Sequence, residues 1–227
     1  MSQAEALSEE TLAEKNAKHF DKFAPGDWPQ WVLDLHKQTT DFLASPEFAG
    51  WLGISPSEGG RRMLDYACGN GLISGSLRPL FSSVIGMDVS KSMLDKYQAT
   101  ADRLGLGPEE MRGVRGDLLG DDLKPTEPPL EESALWNFDL VAISMALHHV
   151  EGPESAIKKL AARLKVGGKL LVIDWTPVDG STPAQREYQQ ELERDGSWER
   201  IEGALMTHAA SHTINKPYGF TEQEMRD

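Results

Sequence analysis

Leu64 to Ser74 of this 227-residue chain reads LDYACGNGLIS, in which an acid and a turn of small residues lead into an apolar periodic segment. Glycines at 69 and 71 would let a ligand approach the backbone closely, and the helix that follows would offer unpaired N–H groups in its first turn. Asp65 bears on the charge of that ligand. A carboxylate at the mouth of the loop lies where a dinucleotide would lay its pyrophosphate, and two unit charges about 4 Å apart interact by roughly 4 kcal/mol at a surface-like dielectric. That sign disfavours pyrophosphate and favours a cation, such as a nucleoside carrying an ammonium and a sulfonium. Ser74 also stands where the dinucleotide fingerprint has its third glycine, although small residues are tolerated there. Plainer roles stay open: a tight turn that only needs glycine, and an Asp65 that only caps backbone amides.

Asp88 closes the run VIGMDV about 20 residues after the loop, where a carboxylate can take both hydroxyls of an adenosine ribose; the alternative is a turn residue ahead of a helix capped by Ser90. Asp117 in RGDLL would face the same crevice and accept a hydrogen bond from an adenine amino group, or else be a solvated loop acid. His148 and His149 follow a long apolar run, placed to take a proton from a nucleophile or to serve as a structural pair. His19, His208 and His212 have no spacing to support them. The histidines show no metal-ligand spacing, so no metal site is expected. Cys68 is the single cysteine, which excludes an intrachain disulfide and a Cys-based zinc cage and reads as a small turn residue.

The elements that must position these residues alternate from Arg62 to Trp175. Apolar runs MLDYA (63–67), VIGMDV (84–89), a short strand at 111–115, FDLVAIS (138–144) and GKLLVIDW (168–175) read as strands, the last two continuous enough to be buried on both faces. Leu72, Ile73, Leu77, Leu80 and Phe81 recur at helical spacing between the first two. Ser90 caps a helix striped by Met93, Leu94, Tyr97, Ala101 and Leu104 and ended by Gly105. A further helix starts near Pro153, carries Ile157, Leu160, Ala161 and Leu164 on one face, and stops at Gly167. The acidic, proline-rich DDLKPTEPPLEES between strands three and four is a loop. The expected fold is α/β: a Rossmann-like, mainly parallel sheet with helices on both faces.

Length supports one domain over 1–227, with an N-terminal helical lid (1–50), the core (62–175) and a helical C-terminal segment (181–227). That segment holds helices at 185–194 and 197–208 and a final capped helix, Thr221 and Glu224 standing in capping-box spacing. A formal net charge of −13 repels polyanions, so nucleic acid is not an expected substrate. The Glu-rich N-terminus lacks the marks of a secretion signal or transit peptide, and no apolar stretch approaches the roughly 20 residues of a membrane span. A cytoplasmic, non-membrane protein is expected, as monomer or homodimer.

Together LDYACGNG, GMDVS, GDLL, FDLVAISMALHHV and LKVGGKLLVIDW resemble the Rossmann-like (class I) S-adenosylmethionine-dependent methyltransferase superfamily over about Arg62 to Trp175. The nearest likeness is to its small-molecule branch, with ubiquinone-type C-methyltransferases and fungal thiol S-methyltransferases of secondary metabolism. The resemblance implies S-adenosylmethionine (SAM) as cofactor and transfer of its methyl group in line to a small-molecule thiol, phenol or activated carbon. It implies that Asp65, Ala67, Cys68, Gly69 and Gly71 surround the methionine part, and that Asp88, with Val89 and Met93, holds the ribose. Gly116, Asp117 and Leu118 would lie near adenine, and Ser144 and Met145 on the sulfonium side. Phe20, with Phe23 and Trp28, would form part of a lid over the donor, or simply pack as core. Ala67 replaces a glycine usual in the family. Family members finish with a further helix and a two-strand hairpin, absent from this sequence, so a truncated chain with five strands is expected. Two other functions remain: an NAD(P)-dependent oxidoreductase, and a catalytically impaired SAM-binding protein.

Overall fold

The computed structural model describes residues 10–22, 30–54, 59–120, 126–177, 186–187, 190, 194, 214–216 and 219–226. Five strands form one parallel sheet: β1 (Arg62–Tyr66), β2 (Ser83–Asp88), β3 (Met111–Arg115), β4 (Phe138–Ser144) and β5 (Leu164–Ile173), in the order β3-β2-β1-β4-β5. The order reverses beside β1, and a crevice opens at the carboxyl ends of β1 and β4 where successive connections leave in opposite directions.

Alternate residues of each strand enter different cores, as expected for a sheet covered on both sides. Leu64, Tyr66, Ile85, Met87, Val141 and Ile143 pack with Ala156 and Leu160 of helix α6 (Pro153–Ala161). Met63, Val84, Leu140 and Ala142 pack on the opposite face against Ile73 and Leu77 of α4 (Leu72–Leu77). Leu43 of α2 (Gln30–Leu43) and Phe48 and Leu52 of α3 (Pro46–Leu52) complete that layer. Helix α5 (Lys91–Arg103) starts at Ser90, whose hydroxyl accepts from Met93 N at 3.2 Å, and lays Tyr97 and Ala101 against Met111. The N-terminal α1 (Leu12–Phe20) is set by a full capping box between Thr11 and Glu14.

Two boundaries differ from the sequence reading. Helix α6 stops at Ala161, and Leu164 already belongs to β5, paired with Phe138. Phe138 N needs an acceptor and finds Arg163 O at 3.1 Å, so the sheet takes the chain before the helical pattern runs out. Gly167, at φ 79°, lies not at a helix end but in an irregularity of β5, between the Leu164 and Lys169 pairings, beside a fully exposed Val166. Helix α3 was not anticipated, although its Ser45 cap and Pro46 at the first position are ordinary start signals. The helices expected at 185–194 and 197–208 lie outside the described residues apart from isolated positions, as do Phe23, Trp28, His208 and His212. The final capping box is present: Thr221 Oγ1 accepts from Glu224 N at 3.2 Å. No described helix is long and apolar enough to cross a membrane.

Candidate functional site

A cavity of about 1010 Å³ lies over the carboxyl ends of β1, β2 and β4. Its floor is the turn between β1 and α4. Backbone conformation there is unusual: Ala67 (φ 54°), Gly69 (φ 51°) and Gly71 (φ 80°) are all left-handed. The two glycines serve different sides of the turn. A side chain on Gly71 would meet Tyr97 Cδ2 and Met111 Cε at 3.0 Å, so Gly71 faces the packed interior, whereas above Gly69 no atom of the described residues stands within 4 Å. Gly69 is thus the position where a ligand can reach the backbone.

Asp65, at the end of β1, is 1% exposed; its Oδ2 accepts from Ser74 N at 3.1 Å and from the Ser74 hydroxyl at 2.7 Å. Burial pushes its carboxyl up to about 7, with the Ser74 bonds opposing and the nearby Asp88 adding to the rise. The carboxylate therefore holds the first turn of α4 and borders the cavity at the same time. Asp88, at the end of β2, uses Oδ2 to accept from Gly69 N at 2.9 Å and Oδ1 to accept from Ser90 N at 2.8 Å. It too is raised by burial, which outweighs three backbone donors, and Asp21 from the end of α1 pushes it the same way. Neither carboxylate has an ion-pair partner among the described residues. Two desolvated acids side by side form a site that a cation would relieve.

Asp117 follows β3. Its Oδ1 accepts from Tyr66 Oη at 2.6 Å and from Leu119 N at 2.8 Å, which leaves Oδ2 for a ligand. Tyr66 was missed in the sequence; burial and Asp117 raise its phenol well above the usual range, so it stays a donor. Cys68 is buried and its thiol is likewise pushed well up by burial, which removes it as a nucleophile.

At the far wall, Met145 (φ 51°) turns the chain after β4 and donates its N–H to Ile173 O at 2.7 Å. The turn that follows carries His148 and His149, whose rings lie 4.3 Å apart. His148 Nδ1 is 2.6 Å from Asp174 Oδ1, one residue beyond β5, and His148 N donates to Asp174 Oδ2 at 3.1 Å. The sequence placed Asp174 only within the strand run GKLLVIDW. Its signal was the one already used for Asp88: an acid directly after a strand's carboxyl end. Helix α1 closes the cavity from above. Phe20 lies edge-on to His149 at 5.6 Å, Asn16 Nδ2 donates to His149 O at 3.2 Å, and Asp21 Oδ1 accepts from the Ser90 hydroxyl at 2.8 Å.

Around this one cavity the structure brings together Asp65, Ala67, Cys68, Gly69, Asp88, Val89 and Met93. Gly116, Asp117, Ser144, Met145, His148, His149 and Phe20 line it as well. Two expected residues do not line it: Gly71 is turned to Tyr97, and Leu118 is buried in the core beneath. No cluster of three or more metal-ligating side chains occurs among the described residues.

Residues 64–170 match the family described as a methyltransferase domain. An uncharacterized methyltransferase of Schizosaccharomyces pombe is 37% identical over 115 residues, which is 51% of this chain and 39% of the relative. A ubiquinone biosynthesis O-methyltransferase of Coxiella burnetii is 26% identical over 165 residues, 72% of this chain and 63% of the relative. The chain thus spans less than two thirds of the length of these curated relatives. Among solved structures, magnesium protoporphyrin IX methyltransferase of Synechocystis, determined with bound SAM, superposes with a TM-score of 0.52 at 18% identity, over 70% of this chain and 74% of that one. At that identity the likeness speaks to the fold.

Proposed function

We propose, from the methyltransferase-domain match over residues 64–170, that the chain is a class I SAM-dependent methyltransferase that transfers a methyl group from SAM to a small-molecule acceptor. One observation carries the reading. The open side of the turn at Gly69 lies beside two buried carboxylates, Asp65 and Asp88, that have no ion-pair partner among the described residues. A ligand with an ammonium and a sulfonium supplies the missing charge, whereas a dinucleotide's pyrophosphate would add two more negatives to the same place.

In this reading Asp65 and the backbone at Gly69 hold the methionine part, Asp88 takes the ribose hydroxyls, and Asp117 accepts from the adenine amino group through Oδ2. Ser144 and Met145 line the sulfonium side. SAM supplies a methyl carbon already activated by a positive sulfur. The protein's part is to hold the acceptor in line with that carbon and to keep water out, a role suited to the wall at Met145 and to α1 above. The relatives named for O-methylation support an oxygen acceptor among the thiol, phenol and carbon classes.

Calorimetric titration with S-adenosylhomocysteine (SAH) and with NADH tests the reading. SAH binding that is lost in Asp88→Ala is expected. NADH binding without SAH binding would identify an oxidoreductase instead.

A further inference from the structure

The sequence leaves His148 and His149 as an undivided pair, but the fold distinguishes them through β5. Ser144 pairs with Ile173 at the ends of β4 and β5, so the turn after β4, which carries His148 four residues on, meets the residue that follows β5. Asp174 grips His148 twice: Oδ2 accepts from the backbone N–H, and Oδ1 faces the ring at Nδ1. Asp174 Oδ1 also accepts from Trp175 N at 2.7 Å, which fixes the carboxylate itself. The backbone carbonyl of His148 is held from the other side by Asn215 N at 2.8 Å and Lys216 N at 3.0 Å. Both side chains are nearly closed to solvent, 6% exposed for His148 and 4% for Asp174.

A carboxylate can only accept, so this contact requires the proton on Nδ1 and leaves the lone pair on Nε2. Nε2 has no hydrogen-bond partner among the described residues, and His148 is one of the residues lining the cavity. We propose that Asp174 is a positioning residue which fixes His148 as the proton acceptor for a methyl acceptor bearing O–H or S–H. This rests on the methyltransferase reading above. In the step, the acceptor's proton passes to Nε2 as its oxygen or sulfur bonds the methyl carbon and the donor's carbon–sulfur bond breaks. One positive charge leaves sulfur and one appears on the imidazole, where Asp174 faces it. An activated-carbon acceptor that is already an anion would need no such pair.

The experiment joins two readouts on wild type and Asp174→Asn. In ¹⁵N NMR of the SAH complex, His148 of the wild type is expected with Nδ1 protonated and Nε2 bare; a wild-type Nε2–H form overturns the proposal. In methyl transfer to catechol, phenol and benzyl mercaptan, Asp174→Asn is expected to lose at least about 10²-fold in kcat while SAH affinity is retained. Retained affinity with unchanged kcat overturns the proposal, as does a wild type that binds SAH yet methylates none of the three. Failure of the wild type to bind SAH overturns the methyltransferase reading itself.

Discussion

The Ser74 hydroxyl donates to Asp65 at 2.7 Å in an interior closed to solvent around both residues. The bond is too weak to offset the loss of water around the carboxylate, and the Asp65 carboxyl rises to about 7 from an ordinary 3.8. The folded protein therefore binds more protons than the unfolded chain between those values. Stability must fall as pH rises across that window, since its slope with pH follows the protons bound unfolded minus those bound folded. Melting temperature followed through the window should decline in the wild type and flatten in Asp65→Asn. Parallel profiles for the two proteins would mean that Asp65 does not titrate there.

The same proton sets the pH dependence of cofactor binding. A cationic ligand favours the ionised carboxylate, so binding should release a proton below about pH 7 and tighten as pH rises towards the Asp65 value. Calorimetry of SAM in buffers of different ionisation enthalpy reads the release directly. Identical apparent enthalpies at pH 6 in all buffers would show that the ligand does not sense this group.

Tyr97 extends the network one step: its hydroxyl donates to Ser74 Oγ at 3.0 Å, and its ring fills the space over Gly86. A Cβ on Gly86 would come within 2.3 Å of the ring, so Gly86→Ala must expel Tyr97 and break its hydrogen bond. Overpacking of this kind costs about 1–3 kcal/mol or more. Tyr97→Phe keeps the ring and loses only the bond, about 1 kcal/mol. Urea unfolding should rank Gly86→Ala as clearly worse; equal losses would place the importance of Tyr97 in its hydroxyl.

Ala67 stands in a left-handed conformation, φ 54°, which a side chain opposes by about 1–2 kcal/mol. Glycine removes that strain and adds roughly 0.5–1 kcal/mol of unfolded-state entropy. Ala67→Gly should thus stabilise slightly, by between about 0 and about 1.5 kcal/mol on these figures. A lower urea midpoint for the variant would show that the methyl group earns contacts exceeding its strain.

The succession of strands along the chain, the glycine turn and the strand-end positions of Asp65, Asp88 and Asp117 were legible because each depends on local pattern: apolar runs, small residues between them, an acid where a strand ends. What the sequence did not disclose depends on register across the sheet. Tyr66 meets Asp117, 51 positions away, because both stand at the rim of the sheet; Asp174 meets His148 only because β4 and β5 end together. Gly167 misled because glycine ends a helix and relaxes a strand equally well, and the choice was made by the unpaired N–H of Phe138. Gly71 was read as facing the ligand, whereas the bulk of Tyr97 turned it inward.

Helix α1 is tied across the cavity at two points, and the ties should govern how long a ligand stays. Asp21 Oδ1 accepts from the Ser90 hydroxyl and, at 3.1 Å, from Ser92 N at the start of α5; Asn16 reaches the carbonyl of His149 on the opposite rim. One tie stands beside the proposed ribose acid and the other beside the proposed acceptor wall. Removing one hydrogen bond of this kind costs about 1 kcal/mol, which is roughly a fivefold change in an equilibrium constant. Asp21→Ala also removes a charge that repels Asp88, so its effect on affinity is a difference of two terms. Asn16→Ala carries the first term alone. We expect Asn16→Ala to raise the SAH dissociation rate about fivefold and to speed hydrogen exchange in Leu12–Phe20, with the melting of the sheet core unchanged. Dissociation as slow as in the wild type, with exchange in α1 accelerated, would mean that this helix covers the cavity without retaining its ligand.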